Sequence, residues 1–276
     1  MTVPKDMTPK DQPTCRDRFD LRVELLTPLH IGAGVENSET DSPILTSGNQ
    51  PVVPGSTIKG LFRSASESLA HVIPQASLGS LKASCHLNGG GCGQDDDFKK
   101  KWRQSVTAEC RWHLLNEHLC ATCRLYGSAN WSSKIRFFDS HLDDMKRSIR
   151  DGVAIDRESG TASDGLKYDY EIVHPHQSFT ISFEVHDADN LDKLLVALAI
   201  GYLRRGHMRI GGMTSRGLGT VRLVEDCSTW RHLDLADRNQ SIAYFLGDEK
   251  EIKASPISDF LQSVGREPEN GEETGR

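Results

Sequence analysis

Positive charge is in short supply: 33 Lys and Arg stand against 39 Asp and Glu, a formal net charge of −6. The chain as a whole therefore carries no field that would draw in a polyanion. Aromatic residues make up 7%, and the aromatic base-stacking signature of ordinary RNA-recognition sheets is missing, which excludes single-base stacking on a sheet as the expected mode. Long apolar runs are also missing. The longest, around Leu194 to Ile200, is far short of the roughly 20 residues a bilayer span needs, and no apolar segment follows a basic start, so we expect a cytoplasmic chain with no membrane partner. The segment Gly55-Ser-Thr-Ile-Lys59-Gly60 lacks the spacing of a phosphate loop. None of His86, His113 and His118 opens an H-x-E element, which excludes a zinc deaminase.

What positive charge there is lies in groups, at Lys59 to Arg63, Arg124 to Arg136 and Arg204 to Arg222. Residues 248–276 hold eight acids against four bases, so this stretch carries −4 of the total and leaves the rest nearly neutral. A local basic groove is thereby permitted. Residues 1–15 read as a loose polar tail, 16–246 as one domain, and 247–276 as an acidic C-terminal tail.

The centre of the sequence is residues 27–64, TPLHIGAGVENSETDSPILTSGNQPVVPGSTIKGLFRS. A glycine turn (Gly32, Gly34) leads to a polar loop with Asp41, and then Gly55 and Ser56 open a helix. A helix start has unpartnered N–H groups and the positive end of the dipole, so Gly55 and Ser56 suit a phosphate. Lys59 and Arg63, four apart, share one face. The same residues also fit a capped surface helix after an ordinary loop. His30 reads as a packing or backbone-contact residue.

Phe19, Leu21, Val23 and Leu25 alternate as a half-buried strand, Ile58 to Leu69 have helical spacing, and Phe179 to Val185 alternate again before an amphipathic helix from Leu191 to Tyr202. Five of the seven cysteines lie between about 75 and 123. Cys85/Cys92 and Cys120/Cys123 suit a structural tetrahedral Zn2+, with Cys110, His86 and His113 as competing ligands and reduced, buried cysteines as the alternative. Arg124 leads into a strand where Lys134 and Arg136 alternate with apolar residues, which puts positive charge on one face. Residues 150–173 read as a long projecting hairpin with a polar tip. The late glycine-rich stretch with Gly211, Gly212 and Arg216 is either a tight loop or a place where backbone meets a ligand. This order fits an α+β class with the split βαβ topology called ferredoxin-like or RNA-recognition-like.

In order, TPLHIGAG, DSPI, VVPGSTIKGLFRS, CATCRLYGSA, GVAIDRESGTA and GGMTSRGLGTV, spread over about residues 20–225, resemble the RAMP superfamily of CRISPR proteins, above all the backbone subunits of type III effector complexes. The resemblance implies an RNA-recognition-like palm, a zinc-containing insertion and a hairpin thumb. It also implies copies stacked along a CRISPR guide RNA, with other subunits of the complex as neighbours and target RNA as substrate. In RNA-cleaving members a loop aspartate before a small residue and proline cuts the target, and Asp41 in TDSP matches it. A carboxylate there can orient Mg2+ or another divalent ion, or help remove the 2′-hydroxyl proton. A structural, non-catalytic guide-binding subunit and, behind both, an unrelated zinc-containing enzyme are the other readings.

Overall fold

The computed structural model describes residues 14–36, 39–85, 91–94, 96–142, 144–247 and 253–265. Strand β1 (Cys15–Leu25) forms because its residues alternate strictly. Asp17, Phe19, Leu21, Val23 and Leu25 are buried, and the residues between them face the other way. It pairs antiparallel along one edge with β8 (Ser178–His186), and β8 pairs with β4 (Ile135–Phe137). The other edge of β1 is shared end to end by β11 (Thr229–Asp234) and β10 (Thr220–Leu223), which are extended by β12 (Ser255–Pro256) and β9 (Met208–Arg209). Across the centre the order is β10, β1, β8, β4, all antiparallel.

Helices α1 (Gly55–Leu69) and α6 (Asn190–Arg204) follow β1 and β8 in the chain and bury one stripe each against the same sheet face. Phe183 is the meeting point. Its ring stacks on Phe19 (4.7 Å, 12°) and lies 5.4 Å from Phe62 of α1 and 4.8 Å from Phe137. Between α1 and β4 the chain makes α2 (Gln75–Leu78), α3 (Asp96–Gln104), α4 (Ala108–His118) and α5 (Ala121–Tyr126). The short pair β2 (Thr46–Ser47) and β3 (Gln50–Val53) precedes α1, and β3 also pairs with β5 (Ser140–His141). Strands β6 (Arg147–Ile155) and β7 (Ala162–Val173) form a separate antiparallel hairpin, which begins three residues before the expected 150.

The C-terminal boundary needs correction. Residues 255–265 are no tail: β12 joins the sheet and α8 (Ile257–Gly265) buries Ile257 and Phe260. Phe260 meets Phe19 edge-on at 4.9 Å. The cause is visible in the sequence, since Ile257, Phe260, Leu261 and Val264 fall at i, i+3, i+4 and i+7, a helical stripe that an acid count conceals. Before β12, α7 (Arg238–Phe245) packs on β11. At the other end β1 starts at Cys15, within the segment expected to be loose, while residues 1–13 and 266–276 of the expected tails lie outside the described residues. Among the described residues no helix is long and apolar enough to cross a membrane.

If α8 is part of the core, Phe260→Ala should destabilise the fold by about 3–5 kcal/mol, the usual cost of emptying a buried phenylalanine site. Urea titration checks this; an unchanged midpoint would return α8 to the tail.

Candidate nucleic-acid interface and metal centre

Three segments converge on His30, which is 5% exposed. Its Nδ1 lies 2.7 Å from the carbonyl of Glu171 on β7; a carbonyl only accepts, so Nδ1 carries the proton. Its Nε2 faces the Ser42 hydroxyl at 3.3 Å, and its own carbonyl accepts the Gly212 N–H at 2.8 Å. Gly211 has φ +86°, and a Cβ there would stand 2.2 Å from the His30 carbonyl oxygen, so only glycine fits. Gly211 and Gly212 thus approach another part of the backbone, the tight-loop alternative of the sequence reading. Gly32 pairs with Ile44, while Gly34, at φ +76°, has open space beside it.

Asp41 is exposed beside this junction. Its N–H donates to Asp169 Oδ1 (2.8 Å), and the Asp169 N–H donates back to Asp41 Oδ2 (3.0 Å). The Glu171 N–H donates to the Ser42 carbonyl, and Glu171 Oε2 accepts the Ile44 N–H, each at 3.0 Å. The loop from Asp41 to Ile44 is therefore laid along the edge of β7 that β6 leaves open. The Thr40 hydroxyl, then the Asp41 N–H, hold the Asp169 carboxyl below the usual carboxylate range. From the late loop, Arg216 Nη1 donates to the Tyr168 hydroxyl at 2.6 Å, and Tyr168 pairs with Gly152, so this cation sits against the middle of the hairpin.

The helix start differs from expectation. The Gly55 N–H donates to Asp139 Oδ1 at 2.8 Å, and a Cβ on Gly55 would lie 2.6 Å from the Phe137 carbonyl oxygen. The first N–H of the helix is thus taken by Asp139, so Gly55 serves close packing rather than a phosphate. Ser56 is exposed in the first turn. Lys59 is half-buried, and burial, then the Arg63 charge, push its ammonium below the usual lysine range. Arg63 is spoken for: it donates to Glu67 (2.8 Å), the Gly127 carbonyl (3.0 Å) and Cys123 Sγ (3.3 Å). Lys59 and Arg63 line a cleft of about 510 Å³ with Cys92, Cys123 and Trp131.

Other cations also have internal partners. Lys134 Nζ meets Asp192 Oδ2 at 2.5 Å; Asp192 is 3% exposed and closes the capping box of α6, so this lysine is structural. Arg124 is 9% exposed, inside α5. Arg136 is exposed on β4. On the outer sheet face Arg18 bonds Asp20 and Glu184, and Arg231 bonds Asp20. That face is a mutually paired network. Nothing local in the sequence marks Asp169, Glu171 or Asp139 as site residues; the alternation of Asp169 and Glu171 with Tyr168 and Tyr170 in the returning hairpin strand is the signal the sequence carries.

Cys85, Cys92, Cys120 and Cys123 place their four Sγ atoms within 4.8 Å of one another, with Cys85 and Cys123 at 3.5 Å. Tetrahedral zinc with Zn–S near 2.3 Å requires edges of about 3.8 Å, so the set fits the ion. The N–H groups of Cys120 and Cys123 donate to Cys92 Sγ (3.3 Å) and Cys120 Sγ (3.4 Å), as thiolates require. Hydrogen bonds from Cys123 and Cys92 push the Cys120 thiol down, while the bond to Cys120 drives Cys92 up and Cys123 up to about 12. Four sulfurs this close resist sharing negative charge without a cation. Phe98, Leu114, Leu115 and Leu119 pack round them. Of the competing ligands, Cys110 and His113 are exposed on α4, apart from the cluster, and His86 lies outside the described residues.

The full chain should accordingly carry about one equivalent of zinc, and Cys120→Ala should lower its melting temperature. Arg63→Met should speed zinc transfer to a chelator on the order of tenfold, the usual scale for losing a group that supports a ligand. Metal-free protein with an unchanged melting temperature would contradict the first, and parental release kinetics the second.

Compared with known proteins, the model of the RAMP superfamily matches residues 22–222. The match starts inside β1 and ends inside β10, so β11, α7, β12 and α8 lie beyond it. No curated protein matches the chain.

Proposed function

We propose, from the premise that this chain belongs to the RAMP superfamily, that it is a guide-RNA-binding backbone subunit of a type III CRISPR effector complex and that Asp41 cuts the bound target RNA. Membership itself supports the coarser statement, a CRISPR-associated RNA-binding subunit. One observation carries the finer one: Asp41 is exposed, not packed, where the loop, the β6–β7 hairpin and the Arg216 loop meet. The order β10, β1, β8, β4 with two helices on one face supports reading the sheet as a ferredoxin-like palm, and the separate hairpin as its thumb.

In this reading Ser56, Lys59, Arg136 and Arg216 hold the phosphate backbone. The bases stay unread, because cations position a strand without specifying it. Arg63 supports the metal centre beside Lys59 and acts on RNA through it. The cut requires the 2′-hydroxyl of a kinked ribose to line up with its own phosphate, and a carboxylate at that point takes its proton or orients Mg2+ or another divalent ion. Among the described residues the four cysteines form the metal-suited cluster, so a divalent ion at Asp41 would lean on RNA oxygens for its other ligands. Reduced thiols agree with a cytoplasmic setting.

In the assembled complex, Asp41→Ala should slow target cleavage about a hundredfold or more, with guide binding intact, and the parental product should end in a 2′,3′-cyclic phosphate. Lys59→Ala and Arg216→Ala should each weaken binding of any guide sequence and lower the salt slope by about one. A parent that binds but never cuts would leave a structural subunit; loss confined to one guide sequence would contradict backbone holding.

A further inference from the structure

We propose that Asp169 is the positioning residue for Asp41, an inference that rests on the cleavage reading above. Asp41 is itself exposed, although its loop neighbours Thr40, Pro43 and Ile44 are buried, and its carboxylate bonds the Asp169 N–H through Oδ2. Its direction is therefore set by how the loop registers on β7. That register is fixed on one side by Glu171, which takes the Ile44 N–H and gives its own N–H to Ser42. On the other side Asp169 closes it, gripping the Asp41 N–H at 2.8 Å and the Thr40 hydroxyl. The two aspartates thus form a reciprocal ring, each carboxylate on the other's backbone N–H. Among the described residues Asp41 Oδ1 accepts no hydrogen bond.

Strand geometry separates this role from RNA holding. Tyr168 and Tyr170 project from the opposite face of β7 to Asp169, and Tyr168 takes Arg216 there. A carboxylate contributes nothing favourable to a polyanion, so Asp169 can be replaced without loss of phosphate contacts. It is not in the core either, so the fold does not depend on it. What depends on it is the placement of one carboxylate, and misplacement by about 1 Å can cost on the order of a hundredfold in rate.

The test compares Asp169→Ala and Asp169→Asn with the parent in the assembled guide complex. It uses single-turnover target cleavage, guide affinity and hydrogen exchange of the peptide spanning residues 39–45. Asparagine keeps an oxygen that accepts both bonds; alanine does not. Asp169→Ala should cut about tenfold to a hundredfold more slowly at saturating target, with unchanged guide affinity and faster exchange at the Asp41 amide, and Asp169→Asn should recover most of the rate and the protection. Parental cleavage and exchange in Asp169→Ala would overturn the proposal, as would equal losses in both variants or a parallel loss of guide affinity. If the parent itself never cuts, the cleavage reading fails, while the exchange arm still decides whether Asp169 holds the loop.

Discussion

The buried imidazole of His30 ties together the segments from which the candidate interface is built. Through Nδ1 it holds β7 of the hairpin, through Nε2 it faces Ser42 of the Asp41 loop, and through its carbonyl it holds the late glycine loop. Its neighbours act the same way: the Leu29 N–H reaches Val173, and the Pro28 carbonyl accepts the Gly219 N–H. Buried polar groups left without partners cost about 1–3 kcal/mol each, so each of these contacts is costly to lose. Hairpin, loop and glycine turn are thereby locked in one relative position, and an exposed aspartate at their meeting point inherits a defined place without being packed.

The cysteine centre imposes a second constraint, beside α1. It ties α5 to the segment before α3, and Arg63 links it to the helix that carries Lys59. The insertion is therefore more than an appendage, since it forms one wall of the cleft in which Lys59 sits. Across the molecule, most cations on the outer sheet face and near α6 neutralise a buried or half-buried acid. Those left for an RNA strand are few, which agrees with a negative overall charge and a local, not global, basic surface.

How much was legible in the sequence depended on the distance over which the deciding contact acts. The alternation of β1 and β8, the helical stripe of α1 and the cysteine spacing are local patterns, and they placed the sheet, the helix and the four thiols correctly. The partners of charged and glycine residues are long-range and were not legible: Gly55 meets Asp139 84 residues on, Arg63 meets Cys123 60 residues on, and Lys134 meets Asp192 58 residues on. A basic residue looks free in a sequence until the fold supplies its acid. The α8 stripe is legible but concealed, because the acids around it dominate the segment's charge while its apolar period carries the information.

The most direct test of the central claim, that RNA runs past the meeting point of the Asp41 loop, the hairpin and the Arg216 loop, is a photo-crosslinking map of the guide complex read by mass spectrometry. The account predicts RNA adducts on peptides covering residues 39–45, 167–171 and 214–218. Adducts confined to the outer sheet face, on β1 and β11, would contradict it.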